Sequence, residues 1–486
     1  MVHRPVFSGL ARLFAIRRFS TSGVAAWDGC NSVAEFIGVL NDVRAVDKAS
    51  QASLERKAME LLSDNLREAA MLLITLKNFG CDVQQLVSRV EIHRNAENLD
   101  LFARALAECG VAASQVAVGE IVAAARVAEH PRQVYNYLCG TCILNTTGAD
   151  VDLGRLLAKM DAIGLSNFTP LQILQIASSL ASVDVVAHAD TLDRLCNDLI
   201  ERRLNCAHIS DLLEGMSKLS KYYQSPGLLT VFEQTLLTHY SMDSLTPSDL
   251  CLALYTLSRY YRSDSMLMDR IAVNLRRDIG NYDLVQLARV ILWLSKIGYY
   301  NKAIVILIGR MVRTFLDKDS TADAQVLTNL YTGFSRFLYH DKLFSLFSTI
   351  LCKEEVFSDL QANDAIAIVQ SYARVHVVDD RLFTLFDTKL FGQPLNTTLT
   401  LKLLVAHGKL RYRNPRLQNT LLNNINLQEL DSPLDRERLK LATERLSLFY
   451  PELTDANGSV IPRIAWRRLD PERRMMQHVR RRKWTW

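Results

Sequence analysis

Asp283-Leu284-Val285-Gln286-Leu287-Ala288-Arg289-Val290-Ile291-Leu292-Trp293-Leu294-Ser295-Lys296 is the stretch that decides the fold. It opens on a side chain able to accept backbone N–H groups at a helix start. It closes on an aliphatic anchor, a small residue and a base. Between them, Leu287, Val290, Ile291 and Leu294 fall on one face of an α-helix.

The pattern returns outward from there. Seven copies lie between Thr169 and Leu421, spaced by about 35 to 41 residues. The anchors are Leu180, Met216, Leu257, Leu294, Phe334, Tyr372 and His407. The clearest copies read Leu257-Ser258-Arg259, Leu294-Ser295-Lys296, Phe334-Ser335-Arg336 and Tyr372-Ala373-Arg374. Eleven residues before each anchor stand Thr169, Asn205, Thr246, Asp283, Asp323, Gln361 and Asn396. All but Gln361 are common N-cap residues, and Pro170 and Pro247 occupy favoured first-turn positions. A second apolar stripe begins about ten residues past the anchor, as in Leu267 and Ile271, Ile304 and Ile308, Leu382 and Phe386, or Leu417 and Leu421. Neither helix buries its stripe alone, so neighbouring hairpins must stack. The expected fold is all-α, a right-handed solenoid of stacked helical hairpins with repeats of about 37 residues.

The chain has 486 residues and is 49% apolar, enough to bury a core along its length. No apolar run reaches the roughly 18 residues of a spanning helix. Nine scattered cysteines without framework spacing suggest reduced, buried thiols. Cys139-Gly140-Thr141-Cys142 stands alone, without the second pair that a zinc site needs, and reads as packing. No phosphate loop, nucleophile elbow or zinc-protease motif occurs, and no carboxylate pair is spaced convincingly for acid–base catalysis. The expectation is a protein without catalysis or a cofactor.

Net charge is +5, and it is unevenly spread. Residues 1–27 contribute +4 and residues 463–486 contribute +7, leaving −6 for the body. The first segment holds Arg4, Arg12, Arg17 and Arg18, no acid, and apolar residues at helical spacing. That is the profile of a mitochondrial transit peptide, with cleavage expected after Phe19 and import into the matrix. A disordered basic arm and plastid targeting are the alternatives. The expected organisation is a transit peptide at 1–22, a helical region with degenerate repeats at 23–165, the array at 166–430 and a C-terminal extension at 431–486.

Two surfaces are candidates for RNA. Lys218, Arg259, Lys296, Arg336, Arg374 and Lys409 stand two residues past consecutive anchors and point away from them. Stacked repeats would align them as a phosphate ladder, with Tyr222, Tyr260, Tyr261, Tyr299, Tyr300, Tyr339 and Tyr412 nearby to stack bases. The same bases would also complement helix dipoles without any ligand. The second surface is the tail, with Arg467, Arg468, Arg473, Arg474, Arg480, Arg481, Arg482, Lys483 and Trp484.

The repeat length, the aliphatic-small-basic signature and the presequence together resemble the heptatricopeptide/octotricopeptide class of organellar RNA-binding proteins. They also resemble the helical-repeat subunits of the mitochondrial RNA-editing substrate-binding complex. The resemblance covers about 166–425 and implies a non-catalytic RNA-binding subunit in processing, editing or RNA stability, within a ribonucleoprotein complex. Such proteins often end in a RAP domain, and no strand pattern for one follows the last repeat. A structural or assembly subunit of the mitochondrial ribosome and a protein-only scaffold are the other expectations.

Overall fold

The computed structural model describes residue 27 and residues 30–448, apart from 42–47, 63–64, 91, 93–95, 111–114, 147–152, 207, 241–244, 264, 319–321, 340, 427–428 and 431–432. The expected transit peptide and the basic tail lie outside the described residues. Every regular element among the described residues is a helix, and none is a strand. Helices adjacent in sequence order pack together, and the chain forms two compact units, Met1–Arg259 and Tyr260–Trp486.

In the first unit, one row of helices is built from α1 (Val33–Asn41), α3 (Leu66–Asn78), α5 (Leu99–Cys109), α7 (Pro131–Thr146), α9 (Pro170–Val183), α11 (Ile209–Tyr222) and α13 (Pro247–Arg259), each packed on the next. Between them in sequence come α2 (Lys48–Leu61), α4 (Gln84–Arg89), α6 (Gln115–Val127), α8 (Leu153–Ile163), α10 (Ala189–Glu201) and α12 (Pro226–His239). The second unit begins with α14 (Met266–Asp278). Its row is α15 (Leu284–Ile297), α17 (Ala324–Arg336), α20 (Ala362–Val375), α22 (Thr397–Leu410) and α24 (Pro433–Leu446). Its other helices are α16 (Lys302–Lys318), α18 (Asp341–Leu351), α19 (Glu354–Asp359), α21 (Asp380–Leu390) and α23 (Pro415–Asn423).

Local chemistry sets where the row helices start. Thr169 and Asp283 each make a reciprocal capping box with a glutamine three residues on. Thr246 does the same with Asp249, whose carboxylate accepts the Thr246 N–H at 3.0 Å. The Asn396 side chain accepts from Leu399 N. Asp323 and Gln361 hold the N-cap position without a side-chain bond. Asn205 departs from the expected spacing. Its helix starts later, with His208 at the N-cap, after a turn in which Arg203 and Leu204 have positive φ.

All seven anchors are at most 2% exposed, and so are the eight second-helix residues that define the other stripe. The row also runs upstream of Thr169 in the same register. Asn65, Asn98 and His130 precede α3, α5 and α7, and eleven residues later stand Leu76, Cys109 and Thr141, all buried. Two of those anchors are a cysteine and a threonine, which is why the aliphatic signature is silent there. Within 23–165, Leu76-Lys77 ends a row helix, whereas Ala124–Val127 ends α6 outside the row.

One residue before the anchor, the row helices approach closely. A Cβ on Gly333 would lie 2.9 Å from the Ile291 carbonyl carbon and the Leu292 nitrogen of α15. A Cβ on Gly140 would lie 3.0 Å from the Ala103 carbonyl group of α5. Only glycine allows backbones this near each other.

Candidate functional site

A groove of about 700 Å³ crosses the row of the first unit from α3 to α11. On α9 and α11, four register positions line it, lying five, two and one residues before the anchor and two after it. On α9 these are Gln175, Ser178, Ser179 and Ser182; on α11 they are Asp211, Glu214, Gly215 and Lys218. The anchors put their side chains into the core, so the positions five and two before and two after them, on the far side of the helix, face the opening, and the position one before lies at its edge near the preceding row helix.

Two ion pairs lie within this groove. Arg104 on α5 lies 2.8 Å from the Glu108 carboxylate, donates to the Gln175 oxygen at 3.4 Å and stacks over the Tyr135 ring at 4.8 Å. The Tyr135 hydroxyl bonds to the same Gln175 oxygen. Burial opposes the Arg104 charge, but Tyr135 and Glu108 more than offset it and leave the pKa raised. Across the groove, Lys218 pairs with Glu214 at 2.8 Å. Cys139 lies on the floor, its thiol pushed up to about 11 by burial, and Cys142 is buried and raised as well. Neither thiol is poised as a nucleophile. No cluster suited to a metal ion occurs among the described residues.

The same four positions in the second unit carry a different chemistry. On α15, α17, α20 and α22 they include six bases, Arg289, Lys296, Arg336, Arg374, Lys402 and Lys409, and no acid. Arg289 and Lys402 are exposed, and the other four are half-buried. The contrast extends to whole units. Residues 28–259 hold 19 Lys/Arg against 28 Asp/Glu, a net −9, while residues 260–462 hold 25 against 22, a net +3. The acidity of the body therefore belongs to the first unit.

The six bases expected to form a ladder are not alike. Lys218 is exposed but faces Glu214. Arg259 turns back along the row and donates to the Ser220 and Lys221 carbonyls at 3.2 and 2.9 Å, closing the C-terminus of α11. Arg374 likewise reaches Ser335 on the preceding row helix at 3.3 Å. Lys296 lies 4.3 Å from the ring centre of Trp293. Arg336 and Lys409 are half-buried.

Several expected stacking tyrosines serve the fold. Tyr299 donates to Asp269 at 3.3 Å and Tyr412 to Asp387 at 2.6 Å, and neighbouring Tyr223 donates to Asp193. Each bond ties the end of a row helix to a nearby aspartate on a second helix. Burial, then Asp387, raises the Tyr412 pKa. Tyr300 packs on Phe337 and Tyr339 on Phe334. Tyr222 and Tyr261 remain exposed, at 44% and 70%. The tail candidates Arg467, Arg468, Arg473, Arg474, Arg480, Arg481, Arg482, Lys483 and Trp484 lie outside the described residues. Sequence reasoning passed over Arg289, Trp293 and Lys402. The groove register exposes them, and it becomes visible only once the first unit shows which positions open to solvent.

No protein-family model matches the chain, and no curated protein matches it either. No described helix is long and apolar enough to cross a membrane.

Proposed function

We propose that this chain is a non-catalytic helical-repeat protein of the mitochondrial matrix that binds single-stranded organellar RNA through the row of its second unit. The observation that carries the reading is the acid-free register of six bases on α15, α17, α20 and α22. A track of cations at repeat spacing suits a phosphate backbone and tolerates varied sequence. The hairpins stack as a solenoid in this reading, and the arginine-rich segment at 1–22 directs import. The arginine- and tryptophan-rich tail adds sequence-independent affinity. The biological role is RNA processing, editing or stability within a ribonucleoprotein complex. A second reading, protein scaffolding, is favoured for the first unit by its net −9 and the two ion pairs inside its groove.

The test is binding of labelled single-stranded RNA to the full chain, followed by anisotropy across a salt series. Replacing Lys296, Arg336, Lys402 and Lys409 by Gln should weaken binding and leave helicity intact. The salt slope should flatten by about 0.7 for every phosphate that is no longer neutralised. Unchanged affinity and slope would remove the second unit from the account and leave the scaffold reading in front.

A further inference from the structure

We infer that Trp293 and Lys296 form a nucleobase-stacking site on α15, in which an unpaired base lies on the indole and the ammonium moves to the adjoining phosphate. The inference rests on the RNA reading of the second unit. Trp293 is the one aromatic residue at the four groove-register positions of α15, α17, α20 and α22. Its register equivalents on α9 and α11, Ser179 and Gly215, line the groove of the first unit. The ring is half-buried.

Lys296 already sits over this ring, with Nζ 4.3 Å from its centre. A cation over an indole marks an electron-rich face near solvent. An incoming base competes for that face with a π-surface of its own, and stacking tolerates any base. The displaced ammonium keeps its charge and needs only rotamer changes to meet a phosphate, since lysine is flexible with three rotatable donors. Arg289 lies two turns before Lys296 on the same helix and is exposed, so the flanking phosphate meets a second base. By contrast, Tyr299 and Tyr412 have hydroxyls engaged by aspartates. Among the groove-register positions of α15, α17, α20 and α22, a base can stack on an aromatic ring only at Trp293.

The probes are a 12-nucleotide oligouridylate and a sugar–phosphate chain of equal length without bases, each titrated into the full-length protein. Intrinsic fluorescence should be quenched by the oligouridylate, and Trp293→Phe should remove the Trp293 share of that quench while keeping most affinity. Trp293→Ala should weaken the oligouridylate by roughly 5- to 100-fold and leave the base-free chain unaffected. An equal loss on both probes, or no loss on either, would overturn the stacking site while the RNA reading stands. Failure of wild-type protein to bind either probe would overturn both. Circular dichroism of the Phe variant, which keeps a ring in the same space, separates a missing site from a missing fold.

Discussion

Helices α11 and α15 share a register and differ in chemistry. Where α11 places Asp211, Glu214, Gly215 and Lys218 along its groove, α15 places Arg289, Leu292, Trp293 and Lys296. Their anchors, Met216 and Leu294, are equally buried. The core positions are thus constrained by packing, and the opposite face is free to diverge. In the first unit that face carries Glu214, paired with Lys218, and Asp211, while Arg104 holds Glu108 on α5. In the second it carries bases and an indole. One scaffold has been given two surfaces, and function must be argued from the surface.

The largest effects should come from what the two helices share. Leu294→Ala removes a buried anchor and should cost about 2–5 kcal/mol, read as a lower urea midpoint. Protection against hydrogen exchange should fall first in α15 and α17, because α17 packs directly on α15. Uniform loss across both units would contradict the repeat assignment.

Glycine substitutions sharpen the comparison. A methyl on Gly333 meets backbone of α15, which cannot move alone, so Gly333→Ala should cost about 1–3 kcal/mol. A methyl on Gly215 meets the Leu174 side chain, at 2.6 Å from Cδ2, and a leucine can change rotamer. Gly215→Ala should therefore cost less than Gly333→Ala in the same denaturation assay. The reverse order would mean that the row helices yield more readily than their side chains.

His407 supplies a pH signature confined to the second unit. It is an anchor 1% exposed, with Gln418 Nε2 3.2 Å from its Nδ1, and burial lowers its pKa from 6.5 to about 3. The unfolded chain takes up this proton first, so the stability is fully present above about pH 6.5 and declines as pH falls toward 3. The slope from this group approaches roughly 1.4 kcal/mol per pH unit. His407→Leu should flatten that part of the denaturation profile; an unchanged slope would show that the imidazole does not titrate with folding.

Arg259→Gln should have the smallest effect. Its guanidinium closes the end of α11, so stability should fall by about 0.5–1.5 kcal/mol while RNA affinity holds. A loss of affinity without a loss of stability would return Arg259 to the ladder.

Much of the architecture was legible because it obeys a period. Caps such as Thr169 and Asp283, the prolines and the buried anchors can all be read from residue type and spacing. Upstream copies were hidden because Cys109 and Thr141 do an anchor's work without aliphatic side chains. Asn205 misled because a left-handed turn at Arg203 and Leu204 delays its helix. The candidate surface was legible only in outline. Residue type marks Arg259 and Lys296 alike as bases two residues past an anchor, but their partners differ, a carbonyl pair for one and an indole for the other. Sequence position alone makes Tyr299 and Tyr412 look like stacking rings, because nothing near them in sequence reveals an aspartate 25 to 30 residues earlier.

The central claim is that the second unit's row, and not the first unit's groove, takes the RNA. Photocrosslinking of full-length protein to a 4-thiouridine oligonucleotide, with mass-spectrometric mapping, tests it most directly. The account predicts crosslinked peptides from α15, α17, α20 and α22, with Trp293 among the sites, besides any from the tail beyond residue 462. Crosslinks confined to Gln175–Lys221, or to the tail alone, would contradict it.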